Sequence, residues 1–98
     1  MTIANSSFKT ENGISINEAE NVNLINTDIS IEKGNLINIY NAKNITFDNL
    51  NYKSSENIIG VITGKLSNNI IFKNSENITK NQFELKKSVK NNVLKIKK

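Results

Sequence analysis

Few side chains in this chain could carry acid–base or metal chemistry. Among its 98 residues there is no histidine and no cysteine, and the only aspartates are Asp28 and Asp48. Two carboxylates hydrolyse a glycosidic bond only when both flank that bond, and a calcium site needs several clustered oxygen ligands. The aspartates occupy different positions of the repeat described below, so we predict that each is a solvent-facing turn residue. We expect no catalytic residue, no cofactor and no metal ligand in this chain.

A second candidate is the segment "GVITGK" at Gly60–Lys65, which is only superficially similar to a phosphate-binding loop. That loop requires a different glycine spacing and a serine or threonine directly after the lysine. Catalysis by a serine or cysteine paired with histidine is also excluded, because the chain has no histidine. The sequence therefore offers no motif for a reaction of its own.

The charge of the chain, +4 overall, is unevenly distributed. Residues 1–79 hold six lysines and eight acids, a balance of −2, whereas residues 80–98 hold seven lysines and one acid, a balance of +6. Such a basic stretch can attract nucleic acid, anionic lipid or an acidic polysaccharide. The absence of arginine and of interleaved aromatic residues argues against nucleic acid. No apolar run approaches the length of a membrane span, and we expect no membrane partner. We expect the lysines chiefly to keep an exposed terminal strand from pairing with other molecules.

One short sequence phrase recurs along the chain and indicates how its elements are arranged. The phrase "NVNLIN" returns as "NITFDN", as "NIIFKN" and, less closely, as "NVLKIK", with spacings of 23, 25 and 23 residues. A period between about twenty and fifty residues is typical of a solenoid, in which each repeat stacks on its neighbours. The opening asparagines are Asn21, Asn44, Asn69 and Asn92, and the closing ones are Asn26, Asn49 and Asn74.

Within each repeat, apolar and polar residues alternate, as they do over residues 14–16 and 37–39. This is the period of a strand with one buried face. Three such strands per repeat predict an all-β, right-handed parallel β-helix with about four coils of 21–25 residues. We expect one segment over residues 1–98, whose last coil at 80–98 is atypical and rich in lysine. A leucine-rich repeat fits less well, because the second half of each repeat again carries strands. The predicted turn residues are Gly13, Gly34 and Gly64.

Stacked coils place equivalent residues over one another. An asparagine at a bend can then donate its amide to the asparagine on the next coil, which makes a ladder along the solenoid. We predict that the seven asparagines form such ladders and that apolar residues form three columns. The columns are Ile14, Ile37 and Ile62; Val22, Ile45, Ile70 and Val93; and Phe8, Ile29 and Tyr52.

Three stretches of the chain resemble one enzyme family. They are "GISINEAENVNLINTDISIEKGNLINIYNAKNITFDNLNY", "VITGKLSNNIIFKNS" and "NQFELKKSVKNNVLKIKK". Roughly residues 5–98 look like the C-terminal coils of bacterial polygalacturonase-type enzymes, glycoside hydrolase family 28, among the pectin-lyase-like β-helices. The resemblance implies a segment that caps and stabilises a pectin-degrading solenoid. It also implies a secreted or periplasmic parent enzyme that hydrolyses galacturonan.

The catalytic signature of that family comprises Asn-x-Asp, Asp-Asp, Gly-His-Gly and Arg-x-Lys. This chain spells only the first motif, as "NTD" at Asn26–Asp28, in a ladder position that "NSS", "NLN" and "NSE" also fill. No catalytic residue of the family is therefore transferred to this chain, and we expect it to be inactive alone. In this hypothesis its partner is a set of upstream coils, and Phe8 and Ile14 lie at an open end of the stack.

An alternative hypothesis is a stand-alone binding or structural β-helix. It predicts a capped N-terminus or end-to-end self-association, and an affinity for an acidic polysaccharide that falls with salt. Met1–Ala4 offers no amphipathic helix that would cover the core. This absence favours the hypothesis of an enzyme tail.

Overall fold

The computed structural model describes residues 1–10, 13–31, 35–53, 58–75, 78–86 and 89–97. Over these residues the chain winds into a β-solenoid of about four turns, which confirms the predicted all-β parallel solenoid. Two 3-10 helices, Lys80–Gln82 and Asn91–Val93, come directly before the last two strands. The strands are β1 (Thr2–Ala4), β2 (Ser7–Thr10), β3 (Ile14–Asn17), β4 (Glu20–Ile31), β5 (Ile37–Tyr40), β6 (Lys43–Lys53), β7 (Gly60–Thr63), β8 (Asn68–Lys73), β9 (Phe83–Leu85) and β10 (Leu94–Lys97).

The strands form two parallel sheets that run along the solenoid. One sheet has the order β1-β4-β6-β8-β10, with β2 also paired to β4, and the other has the order β3-β5-β7-β9. Paired residues are one repeat apart: Ile16 lies opposite Ile39, and Ile39 lies opposite Ile62. The repeat length is therefore the length of one coil, as a stack of equivalent strands requires.

Two strands are longer than the alternating pattern predicts. β4 and β6 have 12 and 11 residues, and each joins two of the short strands expected in a coil. The chain bends within them at Asn26 and Asn49, whose φ angles are 50° and 58°. One residue in the left-handed region turns the chain while its neighbours continue to pair. The prediction of three separate short strands per coil is therefore wrong here.

One predicted apolar column is also wrong. Ile14 and Ile37 lie in register with Gly60, whereas the repeat alignment predicts Ile62 in this column. Ile62 instead pairs with Ile39 on the preceding coil. The predicted column of Phe8, Ile29 and Tyr52 is present.

The error arises from the position of two extra residues in the 25-residue spacing. Tyr40 pairs with Thr63, but Lys43 pairs with Asn68. The extra residues therefore lie after β7, in the turn at residues 64–67, and not before it. The strand that precedes the turn keeps the 23-residue register.

The last coil is displaced by one residue from the predicted register. Leu94 lies opposite Ile70, where the spacing of the asparagines predicts Val93. The 3-10 helix Asn91–Val93 directly precedes β10, and its tight turn moves the strand along by one residue.

The interior holds branched aliphatic residues and a short stack of rings. Phe47 and Phe72 lie nearly parallel, with centroids 4.4 Å apart and an interplanar angle of 3°. Phe83 follows Phe72 at 4.8 Å with a tilt of 44°. Gly60 makes room for the Phe83 ring, because a Cβ at position 60 would lie 2.5 Å from two ring atoms.

Candidate functional site

Asparagine side chains link the coils at two corners of the solenoid. Each of these residues is left-handed, with φ between 50° and 59°, a conformation that asparagine tolerates better than most residues. Because its amide both donates and accepts, one side chain makes the bend and joins two coils. The Nδ2-to-Oδ1 bonds are Asn44 to Asn21 (3.1 Å), Asn69 to Asn44 (2.8 Å), Asn26 to Asn5 (3.1 Å) and Asn49 to Asn26 (2.8 Å).

The C-terminal ends of both ladders differ from the prediction. Nδ2 of Asn74 donates to Oδ1 of Asp48 at 2.8 Å, where the prediction has Asn49 as its partner. A carboxylate accepts more strongly than a neutral amide oxygen, and Nζ of Lys73 lies 3.9 Å from its second oxygen. Asn92 lies outside the ladder, because the 3-10 helix places it one residue out of register.

The two aspartates lie in strands, so the prediction of turn residues is wrong. Asp28 is in β4 opposite Asn51, and Asp48 is in β6 opposite Ile25. The left-handed bend at Asn26 separates these two positions, so the carboxylates lie on different sides of a corner. Within the described residues no group of three or more histidine, cysteine or acidic side chains could hold a metal ion.

The predicted turn glycines fall into two groups. Gly13 and Gly64 have φ angles of 82° and 89°, a region that favours glycine. A Cβ at Gly64 would also collide with the side chain of Asn41 on the preceding coil. Gly34 lies outside the described residues.

A cleft lined by lysines lies beside the turn that carries the two extra residues. Its volume is about 370 Å³, and three successive coils contribute Lys43, Lys65 and Lys90 to its lining. We call it the lysine cleft. The other lining residues are Leu66, Ser67, Asn68, Asn92 and Val93.

Hydrogen bonds to the preceding coil hold one wall of the lysine cleft in place. The backbone N–H of Leu66 donates to Oδ1 of Asn41 at 3.2 Å. The buried hydroxyl of Ser67 donates to the carbonyl of Thr63 at 2.8 Å and accepts from the N–H of Ala42 at 3.3 Å. The turn is therefore an ordered part of the solenoid. The sequence analysis did not predict this cleft. The available signal was the 25-residue spacing, which is two residues longer than the other two and indicates an inserted turn.

Both ends of the solenoid have strands that are paired on one side only. Among the described strands these are β1, β2 and β3 at one end and β9 and β10 at the other. Phe8 and Ile14 are partly buried at the first end. At the second end an apolar hollow of about 490 Å³ is lined by Lys80, Phe83, Leu85 and Leu94.

Comparison of the chain with protein-family models, curated proteins and solved structures finds no match. The resemblance to glycoside hydrolase family 28 therefore depends on the residues quoted above, and the fold itself is established as a β-solenoid. Among the described residues no helix has the length and apolar character needed to cross a membrane.

Proposed function

We propose that this chain forms the C-terminal coils of a longer β-helix, a pectin-degrading glycoside hydrolase of the polygalacturonase type. In this role it caps and stabilises the solenoid, and upstream coils carry the hydrolysis of galacturonan. The resemblance of residues 5–98 to glycoside hydrolase family 28 supports the enzyme class. The β-solenoid is the architecture that this role requires.

The observation that carries this proposal is the edge at the N-terminal end, where two of the three strands carry no charge; we call it the uncharged edge. β1 and β3 contain no charged residue, and β2 contains only Lys9. The side chains of Ile3, Phe8 and Ile14 at this end are only partly buried. An uncharged strand edge beside apolar side chains is suited to pairing with a further strand. This end therefore suits the addition of upstream coils.

The C-terminal edge has the opposite character. Lys95 and Lys97 are exposed on β10, and Lys86 pairs with Glu84 beside β9 at 3.2 Å. Lysines on an edge strand oppose pairing with another strand, because pairing would bring their charges together. The contrast between the two edges supports a solenoid to which further coils are added at β1 rather than at β10.

The reading frame upstream of Met1 tests this proposal most directly. We expect it to be open and to encode further repeats with the Asp-Asp and Gly-His-Gly motifs of the family. The chain alone should release no reducing sugar from polygalacturonate, because it lacks those motifs. A start site directly before Met1 with no such coils upstream would overturn the proposal.

A second candidate function is a stand-alone β-helix that binds an acidic polysaccharide. The lysine cleft supports it, since the role of an enzyme tail does not require three lysines around one cleft. End-to-end self-association would then cover the uncharged edge. Sedimentation at increasing protein concentration tests that part, and a monomer at all concentrations would contradict it.

A further inference from the structure

We infer that the lysine cleft binds a sugar ring that carries an anionic group, as part of an acidic polysaccharide. The inference deepens the second candidate function, on which it rests, by giving it a site. It does not depend on kinship to a hydrolase.

The first argument is the charge of the cleft. No ion pair joins Lys43, Lys65 or Lys90 to a carboxylate in the described part of the chain, where the lysines that do form such pairs are Lys73 and Lys86. Three ammonium groups around one concave surface repel each other and attract an anion. Glu20 lies opposite Lys43 on the preceding coil, but the three lysines outnumber it, so the lining of the cleft favours a ligand with a negative charge.

The second argument is the arrangement of the lining along the solenoid axis. Lys43 is in register with Asn68 on the next coil. Asn92 precedes Leu94 by two residues, as Asn68 precedes Ile70, its partner in the sheet. Successive coils are about 4.8 Å apart, so the cleft offers polar groups in a row at regular steps. Such a row suits an extended polymer better than a single small ion.

The third argument is the uncharged part of the lining. Leu66, one of the residues in the extra turn, is 51% exposed beside the lysines. The amides of Asn68 and Asn92 can each donate and accept hydrogen bonds. A sugar ring offers C–H groups to an apolar side chain and hydroxyl groups to amides, so both kinds of lining group have a partner in it.

The lining disfavours nucleic acid as the ligand. No aromatic residue and no arginine is among the side chains that line the lysine cleft. Proteins that bind single strands stack bases on aromatic side chains, and arginine provides the bidentate contacts to phosphate. The cleft therefore has lysines that attract a polyanion but no aromatic side chain on which a base could stack.

Calorimetric titration of the full chain with four probes at low salt tests the inference. The probes are an oligogalacturonate, its uncharged methyl ester, dextran sulfate and a single-stranded oligodeoxynucleotide. We expect binding to the oligogalacturonate, to dextran sulfate or to both, with an affinity that falls as salt rises. The stronger of these two identifies the anionic group as carboxylate or sulfate. We expect no binding to the methyl ester and weaker binding to the oligodeoxynucleotide.

Two triple variants with equal charge locate the site. One carries Lys43→Gln, Lys65→Gln and Lys90→Gln; the control carries Lys9→Gln, Lys53→Gln and Lys95→Gln at exposed strand positions. Each lowers the net charge from +4 by three, to +1. We expect the cleft variant to bind about tenfold more weakly and the control to lose less than about twofold.

Several results would overturn the inference. They are equal losses in both variants, tightest binding to the oligodeoxynucleotide, equal binding to the methyl ester, or no binding to any probe. The lysine cleft lies within the described coils whether or not further coils precede them. The upstream reading frame therefore tests the enzyme-tail role, and the two triple variants test this inference.

Discussion

At the scale of single residues, asparagine has two structural roles in this protein. A left-handed backbone at Asn44 makes the corner, and its side-chain amide bonds to Asn21 on one side and to Asn69 on the other. Glycine could adopt the same backbone conformation but has no amide. Aspartate would place like charges on adjacent coils, which repel each other. Asparagine combines the bend with an uncharged link between coils.

Substitution of Asn44 tests this dual role. Asn44→Ala removes two inter-coil bonds and places alanine at a φ of 56°, so we expect the free energy of unfolding to fall by about 2 kcal/mol. Asn44→Gly keeps the bend and should lose about half as much. Urea denaturation followed by circular dichroism measures both. Asn51→Ala, at an exposed strand position, is the control, and a loss equal to that of Asn44→Ala would contradict the ladder's contribution.

At the scale of secondary structure elements, register decides which side chains meet in the core. The column of Ile14 and Ile37 continues through Gly60 to Phe83. The absent side chain of Gly60 is what lets the Phe83 ring reach Phe72. The smallest residue of the column therefore lies next to the largest.

Enlarging residue 60 tests this packing. In Gly60→Ala the added Cβ meets the Phe83 ring, and we expect a loss of about 1–3 kcal/mol in the free energy of unfolding. With Phe83→Leu already in place, the same substitution should cost less, because the ring no longer occupies that space. A double-mutant cycle by urea denaturation measures the difference. Additive losses would show that the two residues do not compete for space.

At the scale of the whole molecule, the solenoid is a row of coils in which each coil contacts only its neighbours. The central strands β5 and β6 have partners on both sides, whereas β1, β2 and β3 have partners on one side. Stability in such an array is close to a sum of repeat and interface contributions. The first coil, like the last, should therefore be less stable than the central coils when no further coil covers it.

Amide hydrogen exchange of the chain tests this gradient of stability. We expect amides of β1–β3 to exchange at least about tenfold faster than those of β5 and β6. Joining the chain to upstream coils, where they exist, should slow exchange at β1–β3 and leave β6 unchanged. Uniform protection in the isolated chain would mean that another contact, such as a second copy, covers the first coil.

The sequence alone determined the architecture and the ladders that join Asn21, Asn44 and Asn69 and that join Asn26 and Asn49. Asparagines recur there at coil length, and apolar residues alternate between them. In a stack of parallel strands, equal spacing in sequence becomes equal position in space. The column of Val22, Ile45 and Ile70 could therefore be predicted without coordinates.

Tertiary structure alone decided where the irregular residues lie. The 25-residue spacing shows that there are two extra residues but not where they lie, so the alignment of the repeats predicts the wrong column for Ile62. The N–H of Leu66 donates to Asn41, and the N–H of Ala42 donates to Ser67, and these bonds hold the extra residues in the turn after β7. The lysine cleft follows from that placement, because Lys65 comes near Lys43 and Lys90 only when the turn projects beside the coils above and below. Periodic features can be predicted from spacing, whereas an insertion lies wherever packing against the neighbouring coil accommodates it.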